Sequence, residues 1–262
     1  MAPENSGLLE RLAAAESVAR EAGALAMSLI TGPASELGVA EKGRLDVCTE
    51  ADLAVERLIR ARLADRFGDA MLGEEYGGAV GDQLWVVDPV DGTYNFVHGL
   101  PQWCISIGFL ERGVPTLGVI FNPARDELFA ACAGRGATLN GRTIRASGTL
   151  HLDRPLVEVG WSNRRPIEGY QALIGRLVEH GYEFRRLGSG ALGLAQVAAG
   201  QTDGYIELHI NAWDVAAGLV LVREAGGWTN DFLAGDGLTK GNAILACTPA
   251  LKIKLSALSG IS

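Results

Sequence analysis

The sequence predicts an α+β fold built in layers, and three observations carry that reading. Apolar residues recur at two-residue steps in some segments and at three- to four-residue steps in others, with no regular strand–helix–strand repeat. Residues 214–225 spell an almost wholly apolar helix, which is stable only when buried between layers. Residues 103–110, 114–121 and 127–133 are strand-like runs, parted by the turn signals Arg112-Gly113 and Asn122-Pro123.

The elements follow in chain order. Leu8, Leu12, Ala15, Ala19, Ala22, Leu25 and Leu29 stand at helical steps and predict an amphipathic helix over 6–30, ended by Gly32-Pro33. Residues 33–48, rich in glycine and charge, read as a loop or hairpin. Thr49-Glu50-Ala51-Asp52 has the spacing of a capping box and opens a second helix, with Val55, Leu58, Ile59, Leu63 and Phe67 on one face. Residues 84–87 form a short apolar β run expected to stop at Asp88-Pro89. Asn140-Gly141 marks a hairpin turn. A strand over 156–161, a helix over 166–180, a helix over 189–199 ended by Gly200 and a strand over 203–208 complete the series. Gly226-Gly227 then closes the apolar helix as its C-cap.

Length and charge bound the function. A chain of 262 residues suits one domain, with halves meeting near residues 147 and 148. A net charge of −8 disfavours sequence-independent nucleic-acid binding, which needs cations to displace counterions from phosphates. The same charge would repel an anionic substrate unless bound cations reverse its sign locally. Cys48, Cys104, Cys132 and Cys247 lie in apolar stretches without C-x-x-C spacing and read as reduced core residues. No secretory signal and no apolar run of membrane-spanning length is apparent, so a cytoplasmic protein without membrane contact is expected.

Several carboxylates stand at element ends. Asp88-Pro89-Val90-Asp91-Gly92-Thr93 taken alone is turn chemistry. It follows a buried-type strand, however, and its two aspartates flank a proline that fixes φ. Asp88, Asp91 and the Val90 carbonyl are hard oxygen donors of the kind Mg²⁺ prefers. Gly92 and Thr93 precede a short helical turn whose N–H groups suit a phosphate. Glu74, beside Gly77-Gly78, reads alone as a loop acid, and Asp52 and Asp214 alone read as helix caps.

At this point the residues resemble a known family. K-G-x-x-D-x-x-T-E-A-D (42–52), G-E-E (73–75), D-P-V-D-G-T-x-N-F-V-H-G-L-P (88–101) and W-D-V-A-A-G…E-A-G-G (213–227) are similar to motifs of the inositol monophosphatase family of Mg²⁺-dependent, lithium-sensitive phosphatases. The resemblance implies an αβαβα layered sandwich of the inositol monophosphatase and fructose-1,6-bisphosphatase type, assembled as a homodimer and carrying two or three Mg²⁺ ions. Glu74, Asp88 and the Val90 carbonyl resemble ligands of a first metal; Asp88, Asp91 and Asp214 resemble those of a second. Glu74 also resembles the residue serving a third, weaker ion. Thr93 and Asp52 look like the pair that activates the attacking water, Gly92 and Thr93 like the phosphate-binding amides. Lys42 lies in what resembles a mobile loop.

Substrate choice is expected in the second half. Gly188, Ser189 and Gly190 resemble a segment lining the leaving-group alcohol, and Glu207 stands where inositol phosphatases place a carboxylate for ring hydroxyls. The substrate class implied is a small phosphate ester, foremost myo-inositol 1-phosphate. Histidinol phosphate, fructose 1,6-bisphosphate and 3′-phosphoadenosine phosphates stand as alternatives, and a non-catalytic binding protein is the reading from another class.

Overall fold

The computed structural model describes residues 4–30, 40–43, 46–148 and 154–262. Helix α1 (Glu4–Ile30), the hairpin β1 (Ala40–Gly43) and β2 (Asp46–Cys48), and helix α2 (Glu50–Phe67) come first. A seven-stranded sheet follows in chain order: β3 (Ala70–Gly73), β4 (Gln83–Asp91), β5 (Cys104–Glu111), β6 (Val114–Asn122), β7 (Glu127–Cys132), β8 (Ala137–Leu139) and β9 (Arg142–Ile144). Only β3 and β4 run parallel; the remaining pairs are antiparallel. The short helix α3 (Thr93–Val97) lies between β4 and β5.

The second sheet orders its strands β11 (Glu183–Arg185), β10 (Leu156–Val159), β12 (Gly204–Ile210), β14 (Asn242–Cys247) and β13 (Trp228–Thr229). Helices α4 (Ile167–Glu179), α5 (Gly190–Ala198), α6 (Ala212–Glu224), α7 (Gly237–Lys240) and α8 (Lys252–Ser259) complete the chain. Sequence patterning did not single out β11, β13, β14 or α8, which are short or lack a clear period.

Side-chain alternation fixes the layers. On the first sheet Trp85, Val87, Ile105, Ile107, Phe109 and Val119 face α1 and α2. Leu84, Val86, Cys104, Leu110, Ile120 and Phe129 face the opposite way, onto α5 and α6. The second sheet repeats the scheme: Tyr205, Ile244 and Ala246 meet the central helices, while Val157, Val159, Ile206 and Leu245 pack against Leu173 and Leu177 of α4 and Leu255 of α8. The order is therefore αβαβα, as expected, and the apolar helix α6 is buried between the sheets. No helix among the described residues is long and apolar enough to cross a membrane.

Close approach of α6 to the first sheet depends on two glycines. Gly108 and Gly118 are cross-strand partners on β5 and β6. A Cβ on either would collide with Ala216 or Ala217 of α6, and one on Gly218 would strike Leu194 of α5. The Ala-Ala-Gly run thus lets a helix sit directly on a sheet backbone, and it sets the height at which Asp214, one turn earlier, stands above β4. Replacing Gly118 by Val forces side-chain volume into this contact. We expect a loss of about 1–3 kcal/mol or more from overpacking, read as a lower denaturant midpoint; a midpoint equal to that of the parent would contradict this account of the contact.

Candidate active site

Strand β4 does not stop at Asp88 as the sequence suggested. Pairing continues to Asp91 across a bulge, with Asp88 opposite Ser106 and Asp91 opposite Cys104. Three residue steps on β4 therefore face two on β5. In a regular strand, positions three apart point to opposite faces; one extra residue brings both aspartates onto the inner face. The Asp88 carboxylate stabilises the bulge by accepting the Val90 N–H at 3.0 Å, while the Val90 side chain packs into the outer core.

Asp91 is seated on the N-terminus of α5. Its carboxylate accepts the Ser189 hydroxyl at 2.6 Å, the Ala191 N–H at 2.6 Å and the Gly190 N–H at 3.3 Å. These are donors that a helix start leaves open, at the positive end of its dipole. Gly188, Ser189 and Gly190 do line the cavity, but the Ser189 hydroxyl and the Gly190 N–H are turned to Asp91 rather than offered to a leaving group.

Asp214 is not the first residue of its helix. Helix α6 begins at Ala212, and Asp214 sits in its first turn, accepting the Asn211 N–H at 3.0 Å. One carboxylate oxygen from each of Asp88, Asp91 and Asp214 lies within 4.8 Å of the others. Glu74 falls outside this closest group, although its charge reaches Asp88. Burial first, then the charges of Glu74, Asp91 and Asp214, push the Asp88 carboxyl well up. Burial and the neighbouring Asp91 raise Asp214 to about 7. Asp91 is also raised by burial, against the pull of its Ser189, Ala191 and Gly190 donors. Crowded acidic oxygens in a buried setting are a donor set that fits a hard divalent cation, which would relieve their repulsion.

Asp52 caps its helix and also reaches Thr93. Its Oδ2 accepts the Thr49 N–H at 2.8 Å and the Thr49 hydroxyl at 2.5 Å, forming the capping box of α2. Its Oδ1 lies 3.3 Å from the Thr93 hydroxyl, which is 3.1 Å from the Val90 carbonyl. Burial lifts Asp52 to about 6. Gly92 holds φ at +96° as the N-cap of α3, and a Cβ there would collide with the Gln102 carbonyl, so only glycine turns the chain this tightly.

A cavity of about 720 Å³ opens beside these groups, reaching from Glu74, Asp91 and Thr93 to Glu207 and Asp214. Glu207 is not an exposed strand-end charge. It is 7% exposed, within β12, and accepts the Tyr205 hydroxyl at 2.5 Å. Burial raises it to about 8. Backbone alternation puts Glu158 of β10 on the same face, opposite Tyr205, where burial raises it to about 8 as well. Sequence reasoning missed Glu158. The one available signal was a lone carboxylate inside the apolar run Leu156-Val157-Glu158-Val159. It also missed Trp161, Arg164 and Arg186 around the cavity, and Asn95 of α3, whose amide donates to the Gln102 and Leu187 carbonyls at 2.6 and 2.8 Å. The Lys42 side chain lies outside the described residues.

Comparison with known proteins agrees with this architecture. Residues 8–257 match the model of the inositol monophosphatase family. The Nus factor SuhB of Xylella fastidiosa is 43% identical over 205 residues, 76% of this chain and 74% of that one. The inositol-1-monophosphatase of Synechocystis is 45% identical over 196 residues, 72% of this chain and 68% of its own. Among solved structures, the extragenic suppressor protein SuhB of Bartonella henselae superposes with a TM-score of 0.88 at 34% identity, covering 95% of this chain and 98% of that one. With four sequence motifs, the layered fold and these matches in accord, the chain belongs to the inositol monophosphatase family.

Proposed function

We propose that the protein hydrolyses a small phosphate monoester, foremost myo-inositol 1-phosphate, with Mg²⁺ held by its carboxylate cluster. The observation that carries this reading is the convergence of Asp88, Asp91 and Asp214 within 4.8 Å, at the edge of a cavity that also holds Thr93. Glu74, Asp88, Asp91, Asp214 and the Val90 carbonyl would hold two or three Mg²⁺ ions, which when bound neutralise phosphate oxygens and lower the pKa of a water.

The chain's own groups supply the rest. With its proton directed to Asp52, the Thr93 hydroxyl keeps lone pairs free to accept from a water. A carboxylate near pKa 6 is ionised at neutral pH, yet basic enough to draw a proton through that hydroxyl. The N–H groups of Gly92 and Thr93 orient the phosphate. Glu207, steadied by Tyr205, presents oxygen atoms to the hydroxyls of the departing alcohol.

A second reading, a non-catalytic binding protein, draws on the name Nus factor SuhB, borne by the 43% identical Xylella relative. A well-folded chain that hydrolyses no phosphate ester in the presence of Mg²⁺ would favour it.

Asp91→Asn should lower kcat by ~10²-fold or more through loss of charge stabilisation; near-parental turnover would sink the metal-site assignment. Side-by-side kcat/KM on inositol 1-phosphate, histidinol phosphate, fructose 1,6-bisphosphate and a 3′-phosphoadenosine phosphate tests the substrate. Inositol phosphate poorer than histidinol phosphate by more than ~10² would overturn that choice. Glu207→Ala should raise KM for the preferred ester while sparing hydrolysis of a small artificial one.

Stability without metal should fall as pH rises from about 4 to about 8. Asp52, Asp214, Glu158 and Glu207 are raised to about 6, 7, 8 and 8, so the folded chain keeps protons that the unfolded chain has already released. Calorimetry in EDTA should show Tm declining across this window. Added Mg²⁺ should raise Tm more at pH 8 than at pH 5, and a pH-independent Tm in EDTA would contradict the burial of these acids.

A further inference from the structure

Helix α2 carries a polar stripe that turns inward. Asp52, Glu56 and Arg60 follow at four-residue steps and so share one face of the helix. Asp52 and Glu56 are 1% and 0% exposed. Glu56, unlike Glu74, is not among the residues that line the cavity. Its Oε2 accepts the backbone N–H of Glu75 at 2.7 Å, and its Oε1 accepts that of Tyr76 at 3.2 Å.

Arg60 completes the arrangement. Its Nε and Nη2 approach Glu56 Oε1 at 2.8 and 2.7 Å, and Nη2 also donates to the Gly77 carbonyl. Two amides and one carbonyl of the segment after Glu74 are thus gripped by side chains of one helix. The segment is also joined by a bridge between Gly73 and Gly77 and by the Glu74 N–H, which donates to the Val87 carbonyl at 3.1 Å. The glycine of Gly73-Glu74-Glu75 is what admits the clamp, since a Cβ there would collide with the Glu56 carboxylate.

An ion pair with a buried Glu56 and a half-buried Arg60 is a poor device for stability alone, because an apolar pair of similar volume often does as well. Its value is directional: charge-assisted bonds fix where a loop sits. From this geometry we propose that Glu56 is a positioning residue for Glu74. It holds the adjacent backbone so that the Glu74 carboxylate faces Asp88, and thereby sets the affinity of the cluster for a divalent cation. Arg60 locks Glu56 in that pose. Because Asp52 lies one turn earlier on the same face, a single helix registers both the water-activating pair and the Glu74 loop. The inference rests on the reading of Glu74 as a metal ligand.

The test is the Mg²⁺ affinity of full-length Glu56→Gln, which keeps the side chain's size and loses its charge. It is read both by calorimetric Mg²⁺ titration without substrate, where Kd should rise by ~10-fold or more, and by the Mg²⁺ dependence of hydrolysis. The Mg²⁺ concentration for half-maximal activity should rise by ~10-fold or more, as is usual when a group behind a metal ligand is lost. Substrate KM at saturating Mg²⁺ should stay near the parental value, and excess Mg²⁺ should restore most of kcat. Arg60→Met, at a half-buried position that tolerates change better, should shift the Mg²⁺ requirement the same way by less. In a Glu74→Gln background, Glu56→Gln should add less than about 2-fold, since residues acting through one another are not additive.

Folded Glu56→Gln and Arg60→Met proteins with a parental Mg²⁺ requirement would overturn the proposal while leaving the metal reading intact. So would an undiminished effect of Glu56→Gln in the Glu74→Gln background. If Glu74→Gln itself leaves Mg²⁺ dependence unchanged, the assignment of Glu74 falls and this inference falls with it.

Discussion

Like charges held together in a poorly solvated place repel, and the interior around Asp88, Asp91 and Asp214 is organised to hold them there anyway. Their oxygens converge within 4.8 Å, with Asp88 and Asp91 buried. Each carboxylate is tied by something that does not depend on the others: Asp88 by its own bulge, Asp91 by the N-terminus of α5, Asp214 by the first turn of α6. Helix starts offer unpaired N–H groups and partial positive charge, so they stabilise an anion without cancelling it. The cluster stays acidic enough to attract a cation and firm enough to define where that cation would sit.

Packing between the layers is what brings the three anchors to one place. The aspartates of β4 face inward because of one extra residue, and the helices meet them because α5 and α6 press closely on the sheet and on each other. Small residues make that approach possible: Gly108 and Gly118 beneath Ala216 and Ala217, and Gly218 against Leu194. A slightly larger spacing would leave β4 and α6 intact and pull Asp214 away from Asp88. The starts of the same helices reach the cavity through Gly190 and Asp214, so the acidic cluster and this part of the pocket wall are set by the same contacts.

The two sheets contribute differently to the site. Inner-face residues of the first sheet supply acids that gather around one point. Inner-face residues of the second supply Glu158, which accepts the Leu187 N–H, and the hydrogen-bonded pair Tyr205 and Glu207, spread along the pocket wall. Such an arrangement suits recognition of a polyhydroxylated or otherwise polar group beside the acidic cluster. Arg164 and Arg186 add positive charge around this otherwise acidic pocket.

Local patterns determined much of this protein. The capping box at Thr49, the helices over 6–30 and 189–199, the Asn140-Gly141 turn and the apolar run from 214 each follow from chemistry within a few residues, and all appear in the structure. The motifs around Asp88 and Asp214 likewise marked the acids worth watching. What the sequence could not decide was direction. Whether β4 ends at Asp88 or continues through a bulge depends on pairing with Cys104 and Ser106, about fifteen residues away. Whether Ser189 serves a substrate or Asp91 depends on how α5 docks, nearly a hundred residues downstream. In the sequence Glu56 and Glu158 are charges within a helix and a strand, with no motif around them. Only their burial against distant backbone gave them partners, because hydrogen bonds of this kind form between segments that the sequence separates and the fold brings together.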